Sequence, residues 1–201
     1  GTYEGMNYRY FEPVQAKEDG SYALVLFLHS EKEAGTDNLA QLNNKGATLW
    51  AESANQAKNP AYVLAPQNPD ANGWNVAQVK ALLDDFVNNH PNVDKERIYI
   101  QGMSMGGTAV WEMIAGYPTT FAAAMPICGS VSAELLANTS ALAALKNQPI
   151  WAFHAADDKT TAESNTSNMI AALKASGSAC AKYEVYSAGS ITPDAHWDLA
   201  D

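Results

Sequence analysis

The chain has 201 residues, 47% of them hydrophobic, and a formal net charge of −10 at pH 7. That length suits one domain, with a core that needs neither disulfide nor metal. Acidity without a basic face disfavours nucleic acid, and no run approaches the ~18 apolar residues of a membrane span.

"NYRYFEP" (7–13) is expected as a short edge strand, followed by a turn at "KEDGS" (17–21). "YALVLFLH" (22–29) is almost wholly apolar, as befits a strand buried on both faces. "DNLAQLNNKGATLWAE" (37–52) carries Leu39, Leu42 and Leu49 partly at helical spacing. "AYVLAP" (61–66) predicts a strand, and "VAQVKALLDDFVNNH" (76–90) a helix with an apolar stripe through Val76, Val79, Leu82, Leu83 and Phe86. "RIYIQG" (97–102) is a third core strand and "GTAVWEMIAGY" (107–117) the helix after it. Strands follow at "FAAAMPICG" (121–129) and "PIWAFHAA" (149–156), with a helical segment between them. "TSNMIAALKASG" (166–177) is a helix stopped by Gly177, and "KYEVYSA" (182–188) the last strand.

This alternation predicts an α/β fold with a mostly parallel sheet and right-handed crossovers. No repeat, low-complexity tract or linker interrupts it, so residues 1–201 read as a single domain. No signal peptide is visible, and the start at Gly1 suits a domain excised from a longer chain. Cys128 ends one strand and Cys180 precedes another, which predicts two free thiols at opposite ends of the sheet. The sequons at Asn138 and Asn165 are as compatible with chance as with glycosylation.

In open α/β sheets, functional groups gather at the carboxyl ends of the strands. In chain order those ends carry His29 and Ser30, Gln67, Ser104, Cys128, Asp157 and Asp158, then His196 beyond the last strand. The run "GMSMG" (102–106) fits G-x-S-x-G directly between a strand and a helix. Such a turn lifts a serine hydroxyl clear of the sheet, and only glycine fits two residues to either side. The helix that follows aims its N–H groups at a developing oxyanion. About 0.05 matches arise at random from this composition, so the strand-to-helix context carries the weight.

A serine hydroxyl needs a base within hydrogen-bond reach. His90 closes a helix at the surface, His29 anchors the loop behind the first core strand, and His154 sits within a strand as a satisfied core residue. His196, in a loop past the last strand, is the candidate base. The orienting carboxylate is expected between Ser104 and His196, where "HAADDKT" offers Asp158, with Asp157 as a solvated neighbour. Asp194 lies only two residues from His196 and reaches poorly around the ring.

Together these residues resemble the α/β-hydrolase superfamily, in particular its small serine esterases of the predicted-peptidase and polyhydroxybutyrate-depolymerase-like type, near the feruloyl and acetylxylan esterases. The likeness spans nearly the whole chain: "YRYFEP" (8–13), "FLHSEKEAGTDN" (27–38), "LAPQNP" (64–69), "GMSMGG" (102–107), "WAFHAADD" (151–158) and "HW" (196–197). It implies helices on both faces of the sheet, and Ser104, Asp158 and His196 as a catalytic triad working without metal or cofactor. It also implies an oxyanion hole formed by the N–H of Met105 and a second donor at Ser30 or Glu31. One stretch departs from the family: "H-G-x-G-E-R-G" is here "HSEKEAG" (29–35), which sets a carboxylate at Glu31 near the developing oxyanion.

The expected activity is hydrolysis of short acyl or aromatic esters through an acyl-enzyme, and the resemblance implies acetyl or feruloyl groups on plant polysaccharide as the esters cleaved. A serine peptidase on the same triad and a catalytically impaired binding module with an altered loop are the alternatives. The short insertion at 130–148 leaves little room for a lid. Trp74, Trp111 and Trp197, with Gln67, are candidates for the acyl pocket.

Overall fold

In a computed structural model the described residues are 1–14, 20–191 and His196. The expected turn at 17–21 therefore falls largely outside them, as do Asp194 and Trp197.

Among the described residues eight strands form one sheet: β1 (Thr2–Tyr3), β2 (Met6–Phe11), β3 (Tyr22–Leu28), β4 (Ala61–Gln67), β5 (Val93–Met103), β6 (Ala123–Ile127), β7 (Ile150–Ala155) and β8 (Ala181–Tyr186). Their spatial order is β1-β2-β4-β3-β5-β6-β7-β8. The β1–β2 and β2–β4 pairings are antiparallel, and every later pairing is parallel. The expected edge strand is thus β2, with the two-residue β1 outside it.

Helices lie on both faces, unequally. One face carries the long amphipathic helices α3 (Val76–Asn89), α4 (Met105–Gly116) and α7 (Ser164–Ala175), with the short α5 (Ala133–Ala137) and α6 (Thr139–Ala144). Their buried side chains join Leu24, Leu26, Leu28, Leu64 and Ile100 in one core, to which Trp111 contributes the largest fully buried ring. α7 stops where expected, with Gly177 at φ +94°.

The other face is covered differently from the expectation. Residues 37–52 form short turns: 3₁₀ segments at Ala40–Leu42 and Leu49–Ala51 flank α1 (Lys45–Thr48), and α2 (Ser53–Lys58) follows. Local capping breaks the helix, because the Asn44 side chain accepts the Gly46 N–H and so starts a new turn there. Gly46 is pressed against Phe27, whose ring would lie 2.2 Å from an added Cβ. Beyond these turns the described residues leave a groove of about 640 Å³ on the sheet between Trp50, Tyr99, Trp151 and Lys182.

The crossover from β5 into α4 is packed backbone to backbone. A Cβ at Gly102 would sit 2.4 Å from the Gly106 carbonyl oxygen, and one at Gly106 only 1.9 Å from that of Leu28. On the far side, a Cβ at Gly107 would lie 2.3 Å from the Ile127 carbonyl oxygen. These glycines let α4 start in contact with the ends of β3 and β6, which brings three strand ends to one place.

Candidate active site

Ser104 occupies the joint between β5 and α4 with φ +54° and ψ −117°, a left-handed backbone that a serine adopts only under constraint. Its N–H donates to the Ile127 carbonyl at 2.9 Å and its own carbonyl accepts from Thr108 at 2.9 Å, so neighbours on both sides hold the strained turn. The hydroxyl ends within reach of two acceptors. His196 Nε2 lies 2.8 Å from Oγ, and Glu31 Oε2 lies 3.1 Å from it.

On its other side His196 Nδ1 is 2.8 Å from Asp158 Oδ2. An ionised carboxylate only accepts, so Nδ1 carries the imidazole proton and Nε2 is free to accept the Ser104 proton. The Asp158 carboxyl is fully enclosed. Its Oδ1 accepts the N–H groups of Thr160 at 2.8 Å and Thr161 at 2.9 Å. His154 Nε2 approaches Oδ2 at 3.2 Å. The structure thus brings together Ser104, Asp158 and His196, residues separated by 38 to 92 positions along the chain.

The neighbours of these groups have definite tasks. His154 is fully buried: Nδ1 accepts from Thr166 Oγ1 and Nε2–H donates to the Thr161 carbonyl, both at 2.8 Å. It is the satisfied core residue expected, but nothing in the residue order signals that its ring also faces Asp158. Asp157 differs from a merely solvated neighbour. Its Oδ2 accepts the Gly189 N–H at 2.9 Å, which ties the turn after β8 to the end of β7. His90 ends α3, with Nδ1–H donating to the Phe86 carbonyl at 2.7 Å.

The loop after β3 rests on His29. Its Nδ1–H donates to the Ser30 carbonyl at 2.6 Å and its Nε2 accepts the Asn68 N–H at 2.9 Å. Burial pushes the pKa of this imidazole down to about 4. Trp74 packs on the same ring and donates Nε1–H to the His29 carbonyl at 3.1 Å. Gln67 is fully buried, its amide donating to the Glu33 carbonyl and to Asp37 Oδ1 and accepting from the Asn38 N–H. Trp74 and Gln67, expected along the acyl pocket, therefore stand behind the loop as its supports. Trp111 belongs to the core.

Two donors were open for the second oxyanion contact, Ser30 and Glu31. The Ser30 N–H donates to Glu33 Oε2 at 3.0 Å, one half of a capping box whose other half is the Glu33 N–H on the Ser30 side chain, and the Lys32 N–H also donates to Ser30 Oγ at 3.3 Å. The signature Ser-x-x-Glu at 30–33 was readable in the sequence and foretold that engagement. Glu31 opens the short 3₁₀ turn Glu31–Glu33, as Met105 opens α4. Their N–H groups precede the first bond within each helix.

This topology and these strand-end residues define an α/β-hydrolase fold. Residues 51–189 match the dienelactone hydrolase family, and the chain belongs to it. The chain is 34% identical to a thermostable esterase of known crystal structure, with a TM-score of 0.88 over 97% of this chain and 55% of that one. Poly(3-hydroxyalkanoate) depolymerase C of Paucimonas lemoignei is 29% identical over 146 residues, 64% of this chain and 33% of that protein. An acetyl xylan esterase from Aspergillus awamori shares the fold at 16% identity, with a TM-score of 0.63 over 85% of this chain and 75% of that one. The chain spans about half the length of the thermostable esterase and a third of the depolymerase.

Proposed function

We propose that this chain is a carboxylic ester hydrolase that works through a serine acyl-enzyme. The observation that carries the proposal is the unbroken series Ser104 Oγ–His196 Nε2 and His196 Nδ1–Asp158 Oδ2, each step 2.8 Å. Ser104 Oγ attacks the ester carbonyl as its proton passes to His196 Nε2. Asp158 holds the ring in the correct tautomer and stabilises the imidazolium that forms. The N–H groups of Met105 and Glu31 receive the oxyanion. Collapse of the tetrahedral adduct expels the alcohol, which takes the proton from His196. Water then repeats the sequence and releases the acid.

Short acyl and aromatic esters, free or attached to a polymer, are the proposed substrates. Family membership and the likeness to an esterase and a polyester depolymerase support ester chemistry over amide hydrolysis. The Glu31 carboxylate beside Ser104 favours a second reading, a catalytically impaired binding module. Hydrolysis of p-nitrophenyl acetate by the wild-type chain and by Ser104→Ala separates the two. Turnover that falls by about 10⁴-fold or more in the variant supports the esterase. Equal background rates in both proteins favour the binding module, and cleavage of peptide substrates at a higher kcat/KM than esters favours a peptidase.

A further inference from the structure

The strand ends deliver one more chemically active group beside the acid–base pair. Cys128 follows β6 directly and is fully buried at φ +41°, its N–H donating to the Phe153 carbonyl of β7 at 2.9 Å. That backbone bond sets Cys128 next to the β7 end that carries Asp158. The sulfur of Cys128, a ring nitrogen of His196 and a carboxylate oxygen of Asp158 all lie within 4.8 Å of one another. Neither cysteine of the chain is in a disulfide.

We propose that Cys128, Asp158 and His196 form an inhibitory binding site for Zn²⁺ and similar thiophilic divalent cations. The inhibitory part rests on the reading of His196 as general base. One sulfur, one nitrogen and one oxygen make a donor set suited to zinc and unsuited to magnesium or calcium, which prefer oxygen ligands. Zn–S bonds of about 2.3 Å and Zn–N and Zn–O bonds of about 2.0–2.2 Å put the donors of a tetrahedral ion roughly 3.2–3.8 Å apart. The Asp158–His196 contact of 2.8 Å must widen by a few tenths of an ångström, and the sulfur must close by no more than about 1.5 Å. Asp158 is fully enclosed and Cys128 fully buried, whereas the His196 side chain is 9% exposed, so the ion enters from the histidine side.

The proton balance explains why occupancy stops the reaction. Zn²⁺ binds the Cys128 thiolate, and the thiol proton leaves to solvent. It also takes His196 Nδ1, displacing the proton that Nδ1 donates to Asp158. A neutral imidazole ligated at one nitrogen carries its proton on the other, so that proton moves to Nε2. Nε2–H then donates to Ser104 Oγ and accepts nothing from it. One proton is released for each ion bound, and the serine loses its base without any change to the serine itself.

The test uses buffered free Zn²⁺ and the p-nitrophenyl acetate assay, each protein normalised to its own metal-free rate, with Co²⁺ absorption as the second readout. Wild type is expected to lose activity at micromolar Zn²⁺ and regain it with EDTA, while millimolar Mg²⁺ has no effect. Cys128→Ser and Cys128→Ala are expected to need at least about tenfold more Zn²⁺ for half-inhibition. Co²⁺ bound to wild type should show a thiolate-to-metal charge-transfer band in the near ultraviolet, absent in both Cys128 variants and weakened in His196→Ala. Equal zinc sensitivity of wild type and Cys128 variants, or a cobalt spectrum without the thiolate band, overturns the site. A thiolate band in a wild-type protein that has no esterase turnover keeps the metal site and defeats the catalytic reading instead.

Discussion

The Glu31 carboxylate competes with His196 for the Ser104 hydroxyl proton. The Glu31 carboxylate lies 3.1 Å from Ser104 Oγ, on a hydroxyl that has one hydrogen to give and already faces His196 Nε2 at 2.8 Å. When Oγ–H points to the carboxylate it is unavailable to the imidazole, and the negative charge opposes the oxyanion that follows attack. Glu31→Gln removes the charge while keeping the side chain's size. Its kcat for p-nitrophenyl acetate is expected to rise roughly tenfold, equivalent to about 1.4 kcal/mol of relieved repulsion, with KM little changed. A fall in kcat would mean that the carboxylate assists the reaction.

Asp158 acts on the opposite side of the imidazole. Its two oxygens accept from the N–H groups of Thr160 and Thr161 and from His196 Nδ1. In Asp158→Asn the amide oxygen can keep the backbone donors, while the NH₂ group meets Nδ1 and forces the imidazole into the wrong tautomer. kcat is expected to drop by about 10³–10⁴-fold with the melting temperature lowered by only a few degrees. Activity within tenfold of wild type would remove Asp158 from the proposed role.

The serine turn depends on close backbone approach, and glycine substitutions measure that directly. Gly106→Ala would place a Cβ 1.9 Å from the Leu28 carbonyl oxygen, an overlap that only backbone movement relieves. Urea unfolding should show a loss of about 3 kcal/mol or more, if the protein folds at all. Gly116, the last residue of the same helix, meets nothing within 4 Å of an added Cβ. Gly116→Ala is expected to stabilise by roughly 0.5–1 kcal/mol through helix propensity and a less flexible unfolded chain.

His29 makes stability depend on pH. Its folded pKa is pushed down to about 4 from the ordinary imidazole value of about 6.5, because burial penalises the charged ring. The unfolded chain therefore binds a proton more readily than the folded chain between those values. This contribution is present in full above pH 6.5 and is lost as pH falls through about 4, amounting to about 3 kcal/mol over that window. Denaturant titrations across pH 4–7 should show the loss in wild type. A flatter dependence is expected in His29→Asn, whatever its absolute stability.

Much of this geometry could be read from residue order because strand ends in a parallel sheet share one edge. Once "RIYIQGMSMGG" reads as strand, turn and helix, the serine, the aspartate after β7 and the histidine after β8 have few places to go. Residues 37–52 were harder. Leucines at partly helical spacing suggest one helix, but Asn44 caps a new turn, and Gly46 answers to the Phe27 ring from a distant strand. The carboxylate of Glu31 at Ser104 depends on how the 30–33 turn is aimed. The capping pair Ser30–Glu33 is local and legible, whereas the reach of Glu31 to a residue 73 positions away is not. The same holds for Cys128, whose sulfur meets Asp158 and His196 only because β6 and β7 are neighbours.

Covalent trapping tests the nucleophile most directly. A fluorophosphonate probe phosphonylates a serine only where a base activates it, and intact mass followed by peptide mapping locates the adduct. One adduct per chain is expected on Ser104, absent in Ser104→Ala and formed far more slowly in His196→Ala. No labelling of the folded wild-type chain, or the same adduct at another residue in both wild type and Ser104→Ala, would contradict the account.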